Sequence, residues 1–308
     1  QHTWISPLLF DNREAAMGQR QTSHSTIRRL AAALLGLGLM GWSQPAEALV
    51  PYVYLPSQEE LEGSSLGIGR TAAQLLQLGQ PREAAQLAAL AVRLQPDDER
   101  LWSVLAEAQL RSEQLDAASV SLAKAKSLNP DKAGLWFAEA AIALRSDRPE
   151  EAISLLDRGL QLDPDNSAAY FDLGNARIMQ DDLRMALQSF EKATSLKPDF
   201  WEALNNQALV LYQLGNREEA IRRWRQVLKI EPNPEPMLAL AAALYQKEGN
   251  RDEALRLAKT SLAKDPNYVL APHQEEQLWG TKIRAAAAQL MDDEAMADTV
   301  ERLSLIHI

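Results

Sequence analysis

The sequence predicts an all-α fold in which helix hairpins stack into a solenoid, and three observations support this. Small residues recur with a fixed period in two registers along most of the chain. The stretches between them are rich in Ala, Leu, Glu, Gln and Arg, which favour helix. Prolines recur with the same period of 34 residues, at Pro96, Pro130, Pro164, Pro198, Pro232 and Pro266. A fixed period of this length is typical of repeat arrays.

Each period predicts two helices joined by a tight turn. In the second period Trp102 and Leu110 share one helical face, and after a break at 112–114 a second apolar stripe includes Leu115 and Leu122. The proline ends the second helix, and the Asp or Asn that follows it can accept from free N–H groups of the next helix. One hairpin cannot bury its apolar face alone, so neighbouring hairpins are expected to stack.

The small residues predict close packing between the two helices of each hairpin. One set stands twelve residues before each proline, and the other set stands twelve residues earlier again. Small side chains let paired backbones approach closely, while larger residues fill the space between hairpins. The first set is Ala84, Ala118, Ala152, Ala186, Ala220 and Ala254, and the second is Ala72, Ala106, Ala140, Gly174, Ala208 and Ala242.

This order of a bulky residue, two small residues and a closing proline resembles the tetratricopeptide repeat (TPR) family. Trp102, Trp136 and Tyr170 occupy the bulky position. The resemblance implies a TPR solenoid, a right-handed superhelix of antiparallel helix hairpins with a C-terminal capping helix. The six repeats span 65–98, 99–132, 133–166, 167–200, 201–234 and 235–268.

Beyond the last repeat, residues 269–303 are predicted to form capping helices. Apolar residues from Gln274 to Met291 fall near one face, so this stretch is expected to be one helix that closes the stack. The acidic stretch 292–303 is expected to be a short, mobile helix. Residues 304–308 (SLIHI) differ sharply from the sequence before them and are interpreted as a sequencing scar.

The start of the chain resembles an export signal. Residues 1–16 precede the first methionine and are interpreted as upstream sequence translated in frame. Residues 17–48 contain basic residues, an apolar run at 30–42 and the small-x-small pattern that ends at Ala48. The run would span roughly 20 Å as a helix, short of a hydrocarbon core of about 30 Å.

This favours a cleaved signal and export to a periplasm or thylakoid lumen. A form anchored in the membrane through residues 30–42 stays open, because the sequence continues apolar after Ala48. Residues 49–64 are expected to be an extended tether. Together with the alanine-rich repeats, these features are similar to cyanobacterial membrane-associated TPR proteins, including those that partner protochlorophyllide oxidoreductase.

Composition argues against several classes of function. The net charge of −10 disfavours a nucleic-acid binder, which needs a basic surface. No cysteine is present, which excludes thiol chemistry and thiolate metal sites. The sequence at 63–67 matches G-x-S-x-G, but no strand precedes it, so it is interpreted as a turn at the start of a helix. We therefore expect no enzymatic activity, no cofactor and no metal.

The TPR resemblance implies a concave groove, lined by the first helix of each pair, that holds a peptide or a partner's helix. Arginines there favour acidic ligand groups, aromatic side chains offer apolar anchors, and asparagines can hold a peptide backbone. The candidate groove residues are Arg100, Arg111, Phe137, Arg145, Phe171, Asn175, Asn205 and Tyr212.

The sequence thus predicts a monomeric scaffold that binds another protein, with a role in assembly at a photosynthetic or bacterial envelope membrane. The alternative is a regulatory or substrate-recruiting region of an enzyme whose catalytic domain lies outside this fragment.

Overall fold

The computed structural model describes residues 58–304, and all the regular structure in this range is helical. Twelve helices, α1 to α12, pair in order into six antiparallel hairpins, and three further helices follow. Their bounds are α1 (Gln58–Gln77), α2 (Pro81–Leu94), α3 (Glu99–Arg111), α4 (Leu115–Leu128), α5 (Ala133–Arg145), α6 (Pro149–Leu162), α7 (Ser167–Met179), α8 (Leu183–Leu196), α9 (Trp201–Gln213), α10 (Arg217–Ile230), α11 (Pro234–Tyr245), α12 (Arg251–Lys264), α13 (Ala271–Glu276), α14 (Thr281–Met291) and α15 (Ala297–Ser304). The predicted all-α solenoid of hairpins is confirmed.

The predictions for 1–16, 17–48 (with its apolar run at 30–42) and 304–308 concern residues outside the described range, apart from Ser304, which ends α15. Between residues 58 and 304, no helix has both the length and the apolar character needed to cross a membrane.

The first helix begins earlier than the sequence predicted. Residues 58–64, expected to belong to an extended tether, are the opening turns of α1. The G-x-S-x-G stretch at 63–67 therefore lies inside this helix and is not a turn at its start. Ser65 is buried, and its hydroxyl donates to Gln95 Oε1 at 2.6 Å, which ties α1 to the end of α2.

The turns inside the hairpins share one backbone conformation. In each, the residue two or more positions after the first helix has a positive φ, at Gly79, Glu113, Asp147, Asp181, Gly215 and Gly249. In the first five hairpins the next N–H bonds back to the carbonyl five residues earlier, as from Asn216 to Leu211 at 2.8 Å. This is the Schellman arrangement, which satisfies carbonyls left free at a helix end. Five of the six positions carry Gly or Asp, which tolerate this conformation better than most residues.

The periodic small residues lie at the hairpin centres, as the sequence predicted. The six alanines that precede the prolines by twelve residues are all at 0% exposure, and so are the five alanines of the second set. At the remaining position, a Cβ on Gly174 would clash with the Phe190 ring. The chain there can accommodate the phenylalanine ring only because the residue has no side chain.

Bulky residues link successive hairpins. The indole N–H groups of Trp102 and Trp136 donate to the carbonyls of Pro96 and Pro130, at 2.7 and 2.9 Å. Each tryptophan thus bonds the closing proline of the preceding hairpin. In the fifth hairpin Trp224 has no exposed surface and lies in the core.

The C-terminal region differs from the prediction of one capping helix over 274–291. The helix is broken at 277–280, where Leu278 has φ +59°, and α14 begins only at Thr281. Instead of stacking on α12 as a further repeat helix, α14 packs against α11 and α9. The end of α12 is covered by two 3-10 turns, Pro266–Val269 and Glu294–Met296, on which α15 packs.

The acidic residues after α14 are anchored to the array, in contrast to the predicted mobile helix. Asp293 is 8% exposed and accepts from Arg251 Nε at 2.9 Å and from the Tyr245 hydroxyl at 2.8 Å. The Arg251 guanidinium holds the pKa of this carboxyl at about 2, below its ordinary value. Met296, three residues on, is fully buried.

Gly215→Ala is expected to lower the free energy of unfolding by about 1–2 kcal/mol, because a Cβ disfavours its φ of +94°. The matched control is Gly134→Ala in α5, where a Cβ would meet no atom within 4 Å. There the better helix propensity of alanine should stabilise the protein by up to about 1 kcal/mol. Denaturant unfolding of both variants checks the pair, and equal effects would contradict the turn geometry.

Candidate binding surface

The array has an inner side formed by the first helices of its hairpins. Among the described residues α1 contacts α3, α3 contacts α5 and α5 contacts α7, while second helices of neighbouring hairpins approach one another less closely. A stack is concave on the side where its helices lie closer together. The first half of the array is therefore concave on the side of its first helices. We call the concave side of the array, formed by its first helices, the inner surface.

The three predicted arginines all lie at or near the protein surface. Arg100 is exposed and pairs with Asp98, the residue that caps the start of α3, at 2.5 Å. Arg111 and Arg145 are partly buried, and each donates to a carbonyl near the end of the preceding first helix. The acceptors are the carbonyls of Leu76 and Leu110, at 3.1 and 3.2 Å.

Arg111 and Arg145 therefore have a structural role that the sequence did not reveal. They stand 34 residues apart and make the same bond in successive hairpins. A cation near a helix C-terminus is favourable, because free carbonyls there carry partial negative charge. Arg111 also pairs with Glu107 at 2.7 Å.

The three aromatic residues predicted as apolar anchors are buried instead. Phe137 is 3% exposed, and its ring occupies the space that a Cβ on Gly159 would need. Phe171 is 7% exposed and lies 5.1 Å, between ring centroids, from Phe200. The prediction that these rings face the groove is wrong, because they fill gaps between neighbouring helices. Gly159, at a place where three of the other five repeats have alanine, is the sequence feature that could have shown this for Phe137.

Tyr212, the third aromatic residue, is 5% exposed and packs beside Trp224 at 5.9 Å between ring centroids. Burial raises the pKa of its hydroxyl, and the nearby Arg217 guanidinium opposes part of that rise. Tyr212 borders a cleft beside α14, so it is also not an open anchor.

The two predicted asparagines belong to a buried polar network. Asn205 is 1% exposed, and its Oδ1 accepts from Trp224 Nε1 at 3.0 Å. Asn175 is 4% exposed and accepts from Asn206 Nδ2 at 2.9 Å. Their amides are committed to internal partners, so the prediction that they hold a ligand backbone at the surface is wrong. Nothing in the spacing distinguishes a buried amide from an exposed one.

The network extends to a carboxylate that the sequence did not single out. Glu235, at the start of α11, accepts from Trp279 Nε1 at 3.1 Å and is also hydrogen-bonded by Asn205 and Tyr268. Burial raises the pKa of Glu235 from 4.5 to about 7, and these three hydrogen bonds oppose part of the rise. The neighbouring Glu202 adds to it. Glu235 is the one charged residue in α11, which is a signal the sequence does contain.

The inner surface of α9 and α11 is covered. Residues 203–212 and 236–244 are buried without interruption, and α14 packs across both helices. The Lys282 amine donates to the carbonyl of Gln213 at 2.7 Å, and the Lys282 backbone N–H donates to Gln213 Oε1 at 3.0 Å. We call the inner surface of α9 and α11 the covered face.

The inner surface of the second and third hairpins is more open. The residues that share it are Arg100, Ser103, Glu107, Arg111 and Arg145, all partly or fully exposed. Burial raises the pKa of Glu107, and Arg111 opposes the rise. We call these five residues the open arginine face. This face offers charged hydrogen-bond donors and acceptors. Among all the described residues, no group of three or more possible metal ligands occurs.

The repeat units match known families. Three family models described as tetratricopeptide repeat match residues 143–199, 201–234 and 237–267. Residues 143–267 carry tetratricopeptide repeats. No curated protein matches the chain.

Solved structures show the same TPR solenoid. PilF of Pseudomonas aeruginosa is 19% identical, with a TM-score of 0.61 over 71% of this chain and 98% of its own. PilW, described as a widely conserved type IV pilus biogenesis factor, is 20% identical, with a TM-score of 0.59 over 67% of this chain and 94% of its own. MamA of Desulfovibrio magneticus is 18% identical, with a TM-score of 0.52 over 57% and 98%. At these identities the likeness concerns the fold.

Stability of the C-terminal TPR region is expected to fall as pH rises from about 5 to about 8. The folded pKa of Glu235, about 7, lies above its ordinary 4.5, so the folded state holds this proton more tightly. The stabilisation is present at low pH and lost as pH rises through about 7. In thermal unfolding, the Tm of Glu235→Gln should fall less between pH 5 and pH 8 than the Tm of the wild type. Glu248→Gln, at an exposed position, serves as the control, and parallel profiles for all three proteins would contradict the assignment.

Asn205→Leu is expected to destabilise the protein by about 1–3 kcal/mol, because Trp224 Nε1 would be left without an acceptor in the core. Gln226→Leu makes the same amide-to-leucine change at an exposed position of α10 and should have little effect. Denaturant unfolding of both variants gives the comparison. Equal stability of the two would show that the Asn205–Trp224 bond is unimportant.

Proposed function

We propose that this chain is a non-catalytic scaffold that binds a partner protein at the open arginine face. TPR proteins act as protein-interaction scaffolds, and the fold provides the inner surface that such binding uses. The observation that carries the proposal is the asymmetry of this surface. It is exposed and charged at the second and third hairpins, while α14 covers it at the fifth and sixth.

The chemistry of the open face favours a partner segment with acidic groups. Arg100 already forms two parallel bonds with Asp98, from Nε and Nη2, and its exposed Nη1 can still donate to a partner carboxylate. Glu107 beside it can accept from a peptide N–H, and the Ser103 hydroxyl, which donates to Glu99 Oε1 at 2.6 Å, can accept from another. A short acidic segment is therefore the partner that we expect.

We further propose that the scaffold works in assembly at a membrane. The export signal predicted within residues 17–48 supports an exported protein or one tethered through residues 30–42. The resemblance of the alanine-rich repeats to cyanobacterial membrane-associated TPR proteins supports a photosynthetic membrane, with pigment enzymes as partners. The description of PilW as a pilus biogenesis factor is consistent with a general assembly role.

Arg100→Glu is expected to reduce capture of the partner on the order of tenfold, because it reverses the charge that an acidic segment meets. Purified full chain would be used to capture proteins from source membranes, with quantitative mass spectrometry as the readout. The matched control is Arg184→Glu, which should retain the partner. Arg184 is exposed and lies at the start of α8, the second helix of the fourth hairpin. Retention of every captured protein by Arg100→Glu would exclude the open arginine face.

A further inference from the structure

The helix that covers α9 and α11 has the form of a groove ligand. Its buried residues recur at helical spacing on one face, and its other face is largely exposed. Such a stripe at i, i+3, i+4 and i+7 is the pattern by which an amphipathic helix binds in a groove. The buried face consists of Ile283, Ala286, Ala287 and Leu290, each at 0–4% exposure.

The start of α14 is capped by the array and not by its own sequence. Gly280, the residue before α14, has no side chain to accept from the first free N–H groups. Gln213 of α9 supplies the missing acceptor to the Lys282 N–H at 3.0 Å and donates to Thr281 Oγ1 at 3.1 Å. A Cβ on Gly280 would lie 2.5 Å from Gln213 Oε1, so the absence of a side chain permits this approach.

Further along, side chains of the sixth hairpin hold both ends of the segment. Gln246 Nε2 donates to Gln289 near the end of α14, and Trp279 before its start donates to Glu235. On α11, which α14 contacts, Ala239 and Ala243 fall on the same helical face as Gln246 and have no exposed surface. The covered face therefore offers small side chains in its floor and amide groups at its rim.

α14 does not fill the space available to it. A cleft of about 380 Å³ remains between α14 and the ends of α9 and α11, bordered by Tyr212, Arg217, Ala285 and Gln289. The turn that leads into α14 contains Leu278 with φ +59°, a backbone conformation that is unfavourable for leucine. The docked state thus carries backbone strain beside an incompletely filled cleft.

We propose that the covered face is a helix-binding site, that α14 is its built-in ligand, and that a partner's amphipathic helix binds there by displacing α14. This deepens the proposed function, since it adds a second, regulated site to the same inner surface. The partner helix presents small residues and one or two branched aliphatic residues on its apolar face. It carries a larger apolar residue at the place of Ala285, where it fills the cleft, and an acidic residue within reach of Arg217.

A labelled peptide with the sequence of residues 278–293 tests the site directly. In the wild-type chain the tethered α14 competes at an effective concentration on the order of millimolar, so the peptide should bind weakly. Ile283→Asp places a charge on the buried face of α14 and leaves α9 and α11 unchanged. It should tighten peptide binding on the order of tenfold or more. Ala288→Asp makes the same change in charge on the exposed face and should bind as weakly as wild type.

Hydrogen exchange on the wild-type chain gives a second measurement that needs no variant. Excess unlabelled peptide should speed exchange of the backbone N–H groups of α14 while those of α9 and α11 stay protected. Equal peptide affinity for all three proteins, together with unchanged exchange of α14, would overturn the proposal and identify α14 as a permanent part of the fold. That result would not contradict the proposed binding at the open arginine face, because the test of that proposal uses a different residue and a different ligand.

Discussion

The close approach of two helices at each hairpin is the constraint on which the rest of this structure depends. Alanine or glycine at two fixed places per repeat brings the paired backbones together, and each of these alanines is buried completely. Because no larger side chain fits there, the hairpin has one geometry that is repeated along the chain. Bulky residues between hairpins then set the stacking, as when Trp102 and Trp136 bond the carbonyls of Pro96 and Pro130.

The two ends of the inner surface differ because the segment after the last repeat folds back onto one of them. A helix that continued the stack would pack on α12, but α14 lies across α11 and α9. The reversal at 277–280 and the contacts of Trp279 and Gln213 direct it there. The covered face becomes part of the largest apolar cluster of the described residues, while the open arginine face keeps its charged side chains near solvent.

The sequence predicted the candidate site less well than the fold. Each predicted groove residue was chosen by its place in the repeat, and that place gives the side of the helix but not the depth of burial. Phe137 is buried because Gly159 on α6 leaves room for its ring, and Asn205 because Trp224 on α10 needs an acceptor. Both causes lie on a different helix. The three arginines lie at or near the surface, yet two of them bond carbonyls of the preceding repeat.

The sequence by itself determined the repeat, its period, its turns and its all-helical fold. These follow from local chemistry and from spacing, since proline, glycine and alanine act at the positions they occupy. Only the tertiary structure decided which parts of the inner surface are accessible. That depends on α14, whose docking is set by residues up to 69 positions away in sequence, as between Gln213 and Lys282. A hydrophobic pattern shows that a helix has an apolar face, but it does not show which of several apolar surfaces that face will cover.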